Sequence, residues 1–105
     1  CPPCLAEMPS MQRLANALKG RPFTILAVNL EESKSTVWKF RKLLNIDFAT
    51  LLDSTGDVTR AWGVEVFPTS YVIDKQGNIR YALFGSVEWD SQEMLLIFST
   101  LLQEP

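Results

Sequence analysis

Histidine is missing altogether from these 105 residues, and cysteine occurs only twice. Without histidine the chain lacks the side chain that most often moves protons near neutral pH and most often binds metals. Two thiols alone cannot complete a tetrahedral zinc shell, which takes four ligands, so no metal site is expected. Neither sign of charge dominates: 10 Lys and Arg stand against 12 Asp and Glu, for a net charge of -2. With those charges spread along the chain, no nucleic-acid surface is expected. No apolar run is long enough to cross a bilayer, and neither an internal repeat nor a leader-like segment is apparent. The chain opens on Cys1 rather than on methionine, which reads as a trimmed or processed product.

What is present is concentrated at the front. Cys1-Pro2-Pro3-Cys4 is followed by the helix-forming run Leu5-Ala6-Glu7-Met8, and two cysteines at this spacing can close a small disulfide across a first helical turn. A thiolate there faces unpaired N–H groups and the positive end of the helix dipole, which favour the anion. Cys1 would be the nucleophile and Cys4 the resolving thiol. The two prolines fix φ near the helical value but carry no N–H, so Pro3 offers Cys1 no donor. A moderately depressed Cys1 pKa follows, which suits a reductant better than a strong oxidant. The bland alternative is a structural disulfide, but so short a loop constrains the unfolded chain little.

With 47% hydrophobic residues, the chain has the content of a single domain. Met8, Met11, Leu14, Ala15 and Leu18 recur at helical spacing up to Lys19-Gly20, which offers a basic last turn and a stop, and Pro9 should bend this helix. Phe23 to Leu30 is nearly all apolar and reads as a strand buried on both faces, the mark of a parallel sheet. Glu31 to Ser35 supplies caps for a helix lined by Val37, Phe40, Leu43 and Leu44, with Trp38, Lys39, Arg41 and Lys42 on a solvated basic side. Phe48 to Asp53 reads as a short strand. Asp57 then caps a short helix that ends at Gly63. Tyr71 to Asp74, a turn over Lys75 to Asn78, and Ile79 to Phe84 form an antiparallel hairpin. Asp90 with Glu93 matches a capping box ahead of a last helix whose face is Met94, Leu95, Ile97, Phe98, Leu101 and Leu102.

Cys1-Pro2-Pro3-Cys4, Glu7 and Pro9, followed at this distance by Val66-Phe67-Pro68-Thr69-Ser70-Tyr71-Val72-Ile73-Asp74-Lys75-Gln76-Gly77-Asn78-Ile79, resemble the TlpA/ResA-like branch of the thioredoxin superfamily. The resemblance covers essentially the whole chain. It implies an α/β thioredoxin fold, three layers α/β/α around a mixed sheet, forming one domain over residues 1–105 with a TlpA-like insertion over about 31–62. Relatives carry a strand and a Trp just before the first cysteine, and neither is in this sequence, so the domain is expected to be truncated at its N-terminus. The resemblance further implies a cis Phe67-Pro68 peptide against the disulfide, with Phe67, Pro68 and Thr69 presenting backbone to a substrate strand. Glu7, three residues after Cys4 and on the same helical side, would move a proton to or from Cys4; the alternative is a first-turn carboxylate that simply suits the helix dipole. Trp62, Phe67 and Trp89 would form an apolar rim at the site or belong to the core.

The implied function is thiol–disulfide exchange with protein substrates, with no cofactor beyond a redox-active Cys1–Cys4 disulfide. The implied partners are protein thiols or disulfides and a membrane-bound or soluble thiol–disulfide electron donor. The implied location is extracytoplasmic, in a bacterial periplasm or on the outer face of the membrane, in work such as cytochrome c biogenesis. Two alternatives stand beside it. One is a peroxiredoxin-like peroxide reductase, which the C-x-x-C spacing disfavours. The other is a redox-inert or metal-carrying binding module, which the lack of histidine disfavours.

Overall fold

The computed structural model describes residues 1–105. Its elements run α1 (Pro2–Ala17), β1 (Leu26–Leu30), α2 (Lys34–Leu43), β2 (Ala49–Asp53), α3 (Asp57–Ala61), β3 (Thr69–Ile73), β4 (Ile79–Phe84) and α4 (Gln92–Gln103). The chain forms two compact units, one made of Cys1–Phe23 with Val66–Pro105 and the other of Thr24–Glu65.

In the first unit, α1 begins at once: Pro2 and Pro3 occupy its first two positions and Cys1 is its N-cap. Proline is suited to these positions because the N–H it lacks has no intrahelical partner there. The helix continues through Pro9 to Ala17 and stops ahead of Lys19, so the expected basic last turn does not form. The hairpin β3–β4 pairs antiparallel from Thr69↔Phe84 to Ile73↔Ile79. Its turn is built by Asp74, whose Oδ1 accepts from the N–H groups of Gln76 and Asn78, both at 2.9 Å. Those backbone donors hold the Asp74 carboxyl below its ordinary range.

Ser91, not Asp90, caps α4, its hydroxyl accepting from the Met94 N–H at 3.2 Å. Asp90 is drawn away by the Arg13 guanidinium, whose Nε lies 2.7 Å from its carboxylate. A cap of this kind contributes about 1 kcal/mol. The expected apolar face of α4 forms around buried Met94, Phe98 and Leu101, and Phe23 meets Phe98 edge-on at 5.2 Å between centroids. Lys75 donates to the carbonyls of Leu102 and Glu104 at 2.8 and 3.0 Å, satisfying acceptors that the end of α4 leaves open.

In the second unit β1 and β2 pair in parallel from Leu26↔Ala49 to Leu30↔Asp53, with α2 as the crossover that a parallel pair requires. Ser33 caps α2 through the Thr36 N–H. Three expectations change here. Leu26 and Val28 are 61% and 48% exposed rather than buried on both faces. Phe40 and Leu43 are exposed, so Val37 is the only buried residue of α2. Arg41, expected on the solvated side, turns inward to the Phe48 carbonyl and the Thr50 hydroxyl, leaving Lys34 and Arg41 over the exposed Trp38 ring.

The acid that organises α3 is also not the expected one. Asp53 accepts from the Val58 and Thr59 N–H groups at 3.3 and 2.8 Å and from the Thr59 hydroxyl at 2.7 Å. Asp57 is the first helical residue, and Gly56 holds the cap position at φ 80°. A Cβ there would meet Arg60 and Glu31 side-chain atoms at 3.0 Å, and positive φ strains any L-residue besides.

The strands form two separate two-stranded ladders, one parallel and one antiparallel, in place of the single mixed sheet expected. The physical reason lies in the pairing. β1 bonds only to β2 and β3 only to β4, so each keeps one backbone edge without a ladder partner. The strand that the resemblance places ahead of Cys1 in relatives is, as expected from the sequence, not among residues 1–105. Leu26 and Val28 are both exposed on one face of β1, as is Ile73 at the end of β3.

Candidate active site

The site is built at the start of α1. Cys1 and Cys4 are joined in a disulfide with Cα atoms 5.3 Å apart. Cys1 is exposed and Cys4 half-buried, the asymmetry a nucleophile and a resolving thiol require. The Leu5 N–H donates to the Cys1 carbonyl at 3.1 Å, and Pro2 and Pro3 have no N–H to give. The Cys4 amide is therefore the one backbone donor within the motif, as the two prolines led us to expect.

Glu7 is the third member. Three residues beyond Cys4 on a helix, it is that cysteine's neighbour on the helix surface, and it is 2% exposed. Since α1 begins at Pro2, Glu7 falls in its second turn, and the first turn contains no acid; the simple dipole role does not fit. Its Oε1 accepts from the Trp89 indole N–H at 2.9 Å, whereas Oε2 is buried with no hydrogen-bond partner. Burial pushes the Glu7 carboxyl above its ordinary range, and the Trp89 hydrogen bond offsets part of that rise.

The loop after β4 ties this turn to the rest of the unit. Gly85 donates its N–H to the Pro68 carbonyl at 2.8 Å, and the adjacent Ser86 hydroxyl donates to the Pro3 carbonyl at 2.9 Å. Pro68 and the cysteine motif thus bond to neighbouring residues of one loop. The Phe67-Pro68 peptide is cis, and Gly85 has φ 89°. Phe67 is 43% exposed and Pro68 and Thr69 are half-buried, with the Thr69 hydroxyl turned to the Val66 carbonyl. Further along α1, Ser10 is 1% exposed. Its oxygen lies 2.9 Å from the Glu7 carbonyl and 3.2 Å from the Val87 carbonyl, and it accepts the Trp89 N–H at 3.0 Å.

Of the three aromatics considered for a rim, Trp89 is a core residue at 4% exposure and Phe67 is exposed. Trp62 is exposed in the second unit. Ser10 and Ser86 carried no signal in the sequence, since a lone serine 77 or 83 residues from its partner belongs to no local pattern. No group of three or more His, Cys, Asp or Glu side chains is gathered where it could hold a metal ion, and no helix is long and apolar enough to cross a membrane.

Comparison with known proteins places this geometry in company. The model of the AhpC/TSA family matches residues 1–82. The thiol-disulfide oxidoreductase ResA of Geobacillus thermodenitrificans is 36% identical over 87 residues, which cover 83% of this chain and 50% of ResA. The chain therefore spans about half the length of the curated relatives it matches. Among solved structures, a thiol:disulfide interchange protein of the thioredoxin family from Chlorobium tepidum superposes with a TM-score of 0.81 at 27% identity, covering 97% of this chain and 72% of that one. StoA from Bacillus subtilis superposes with a TM-score of 0.78 at 26% identity, covering 94% and 74%.

Proposed function

Because the chain belongs to the AhpC/TSA family, with a thioredoxin fold of the TlpA/ResA-like kind, we propose that it is the catalytic part of a thiol–disulfide oxidoreductase acting on protein disulfides. The observation that carries this reading is the Cys1–Cys4 disulfide at the start of α1 with a buried carboxylate three residues on.

In the reduced domain the Cys1 thiolate attacks one sulfur of a substrate disulfide. The Cys1–substrate bond forms, the substrate disulfide breaks, and the freed substrate thiolate takes a proton from water. Cys4 then gives its proton to the Glu7 carboxylate, and the resulting thiolate attacks the Cys1 sulfur. The Cys1–Cys4 bond forms and the second substrate thiolate departs, so two electrons have passed to the substrate. The oxidised domain is the state the structure holds.

Substrate recognition falls to Phe67, Pro68 and Thr69, whose backbone at the entry to β3 can pair with a visiting strand without reading its side chains. Net flow as a reductant is supported by the two donor-less prolines, which leave the Cys1 thiolate only moderately stabilised. Re-reduction is by a dithiol partner, and the resemblance to the TlpA/ResA-like branch supports a place outside the bacterial cytoplasm, with extracytoplasmic thiols such as those of apocytochrome c as targets.

Insulin reduction by the wild type and by Cys1→Ser and Cys4→Ser tests the reading. Turnover is expected to vanish in both, with a stable mixed disulfide accumulating in Cys4→Ser. Unchanged turnover in Cys1→Ser would defeat it, and rapid peroxide consumption without a thiol substrate would favour the peroxidase alternative.

A further inference from the structure

We propose that Trp89 is the positioning residue of the resolving step, its indole N–H fixing one oxygen of Glu7 so that the other is left to take the proton of Cys4. This rests on the exchange chemistry proposed above and assigns its timing to a residue 82 positions away in sequence.

Three observations converge on it. The two Glu7 oxygens are unequally treated: Oε1 is held at 2.9 Å by Trp89, and Oε2 is buried and unpartnered. A buried carboxylate oxygen without a donor is costly and calls for an explanation, and a role as proton acceptor beside the resolving thiol supplies one. Trp89 itself is clamped on both ends. Its backbone N–H is held by Ser10 at 3.0 Å, and its ring packs on Phe98 at 6.2 Å between centroids. An indole fixed in this way presents its single N–H in one direction. Finally, Ser86 and Trp89 lie in one loop and bond respectively to Pro3 and Glu7, so the loop that seats the cysteine turn also seats its proton acceptor.

The charged groups nearby do not compete for the role. Arg13 on α1 pairs with Glu88 at 3.6 Å and Asp90 at 2.7 Å in the loop, at positions more exposed than Glu7, and Glu93 on α4 is exposed. With no histidine in the chain, the thiols of Cys1 and Cys4 and the carboxyl of Glu7 are left to govern the step. The Trp89 hydrogen bond favours the ionised carboxylate, the form that can accept a proton. Losing it would raise the Glu7 pKa further and leave less carboxylate at neutral pH.

The test is the pH dependence of mixed-disulfide resolution, followed by rapid mixing of the reduced protein with a disulfide substrate, in wild type, Trp89→Phe, Glu7→Gln and the double variant. The acid limb assigned to Glu7 is expected to move up by about one pH unit in Trp89→Phe, with the rate on the acid side of that limb falling about tenfold and substrate KM unchanged. In Glu7→Gln the limb disappears, and adding Trp89→Phe to that variant changes nothing more. A limb that stays in place in Trp89→Phe while Glu7→Gln abolishes it would overturn the role of Trp89 and leave the exchange chemistry standing. A limb unaffected by Glu7→Gln would overturn both assignments, and an active Cys1→Ser would overturn the function itself. Should Trp89→Phe fold poorly, the wild-type indole 15N–H resonance of Trp89 gives an independent answer. It must titrate with the Glu7 carboxyl, above the ordinary glutamate range, and a resonance that ignores that titration refutes the contact.

Discussion

Glu7 in the first compact unit and Asp53 in the second are both buried acids, and the two are treated oppositely. Asp53, at the end of β2, is 5% exposed and receives three donors from α3, two backbone amides and the Thr59 hydroxyl. Those hydrogen bonds hold its pKa below the ordinary value. Glu7, on α1, is 2% exposed and receives one donor, and burial carries its pKa upward. The shifts are opposite because hydrogen bonds to the charged form outweigh desolvation at Asp53, whereas desolvation outweighs the single hydrogen bond at Glu7. A fully satisfied acid stabilises a fold. A half-satisfied one keeps an acceptor oxygen open, which suits a site of proton transfer.

The contrast can be broken in several places. The largest effect is expected from Ser10→Ala, which leaves the Trp89 N–H without its acceptor. A buried group stripped of its partner costs about 2 kcal/mol, which should lower the melting temperature by roughly 10 °C and slow resolution by loosening Trp89.

Asp53→Asn should lower the melting temperature by roughly 5 °C at pH 7 through weaker bonds to α3. Because the folded pKa of Asp53 lies below its unfolded value, its stabilisation is present above the unfolded pKa and is lost as pH falls through the folded one. The gap between variant and wild type should therefore close under acid; a gap that persists there would mean that the charge of Asp53 contributes nothing.

Glu7 must behave with the reverse sign. Its folded pKa is raised, so the folded state holds the proton longer, and stability falls as pH rises from the unfolded glutamate pKa of about 4.3 through the folded one. Glu7→Gln removes that decline, so thermal melts from pH 4 to pH 8 should show the variant gaining on the wild type. Parallel curves would sink the claim that burial disfavours the charge.

The smallest effect is expected at Arg13→Ala. Its pairs with Glu88 and Asp90 are exposed at Arg13, and exposed pairs contribute little. The melting temperature should move by no more than about 2 °C, and a larger drop would show that the loop after β4 leans on this contact.

Much of the site was legible in the sequence because it is local. The span from Cys1 to Glu7 is less than two helical turns, and helical geometry alone sets Glu7 beside Cys4. The hairpin was legible for a similar reason, since Asp74, Gly77 and Asn78 specify a tight turn by their own chemistry. The caps were less so. Asp90 and Asp57 were each plausible by type and spacing, but Arg13 draws off the first, and the amides the second might have capped go to Asp53 from the preceding strand. Burial of β1 was overestimated because an apolar run records the capacity to be covered, and exposed Leu26 and Val28 show that the covering depends on partners outside the run.

What the sequence determined alone, then, is whatever a few consecutive residues can enforce: the cysteine turn with its two prolines, the acid one turn further, the tight hairpin. Tertiary structure decided which acid was left half-satisfied. A pKa is set by the number of donors that reach a carboxylate and by the water shut out around it, and the one donor that reaches Glu7 comes from Trp89, 82 residues away. No local pattern encodes a contact of that reach, because the chain between is free to place it anywhere until the core around Phe98 and Leu14 closes.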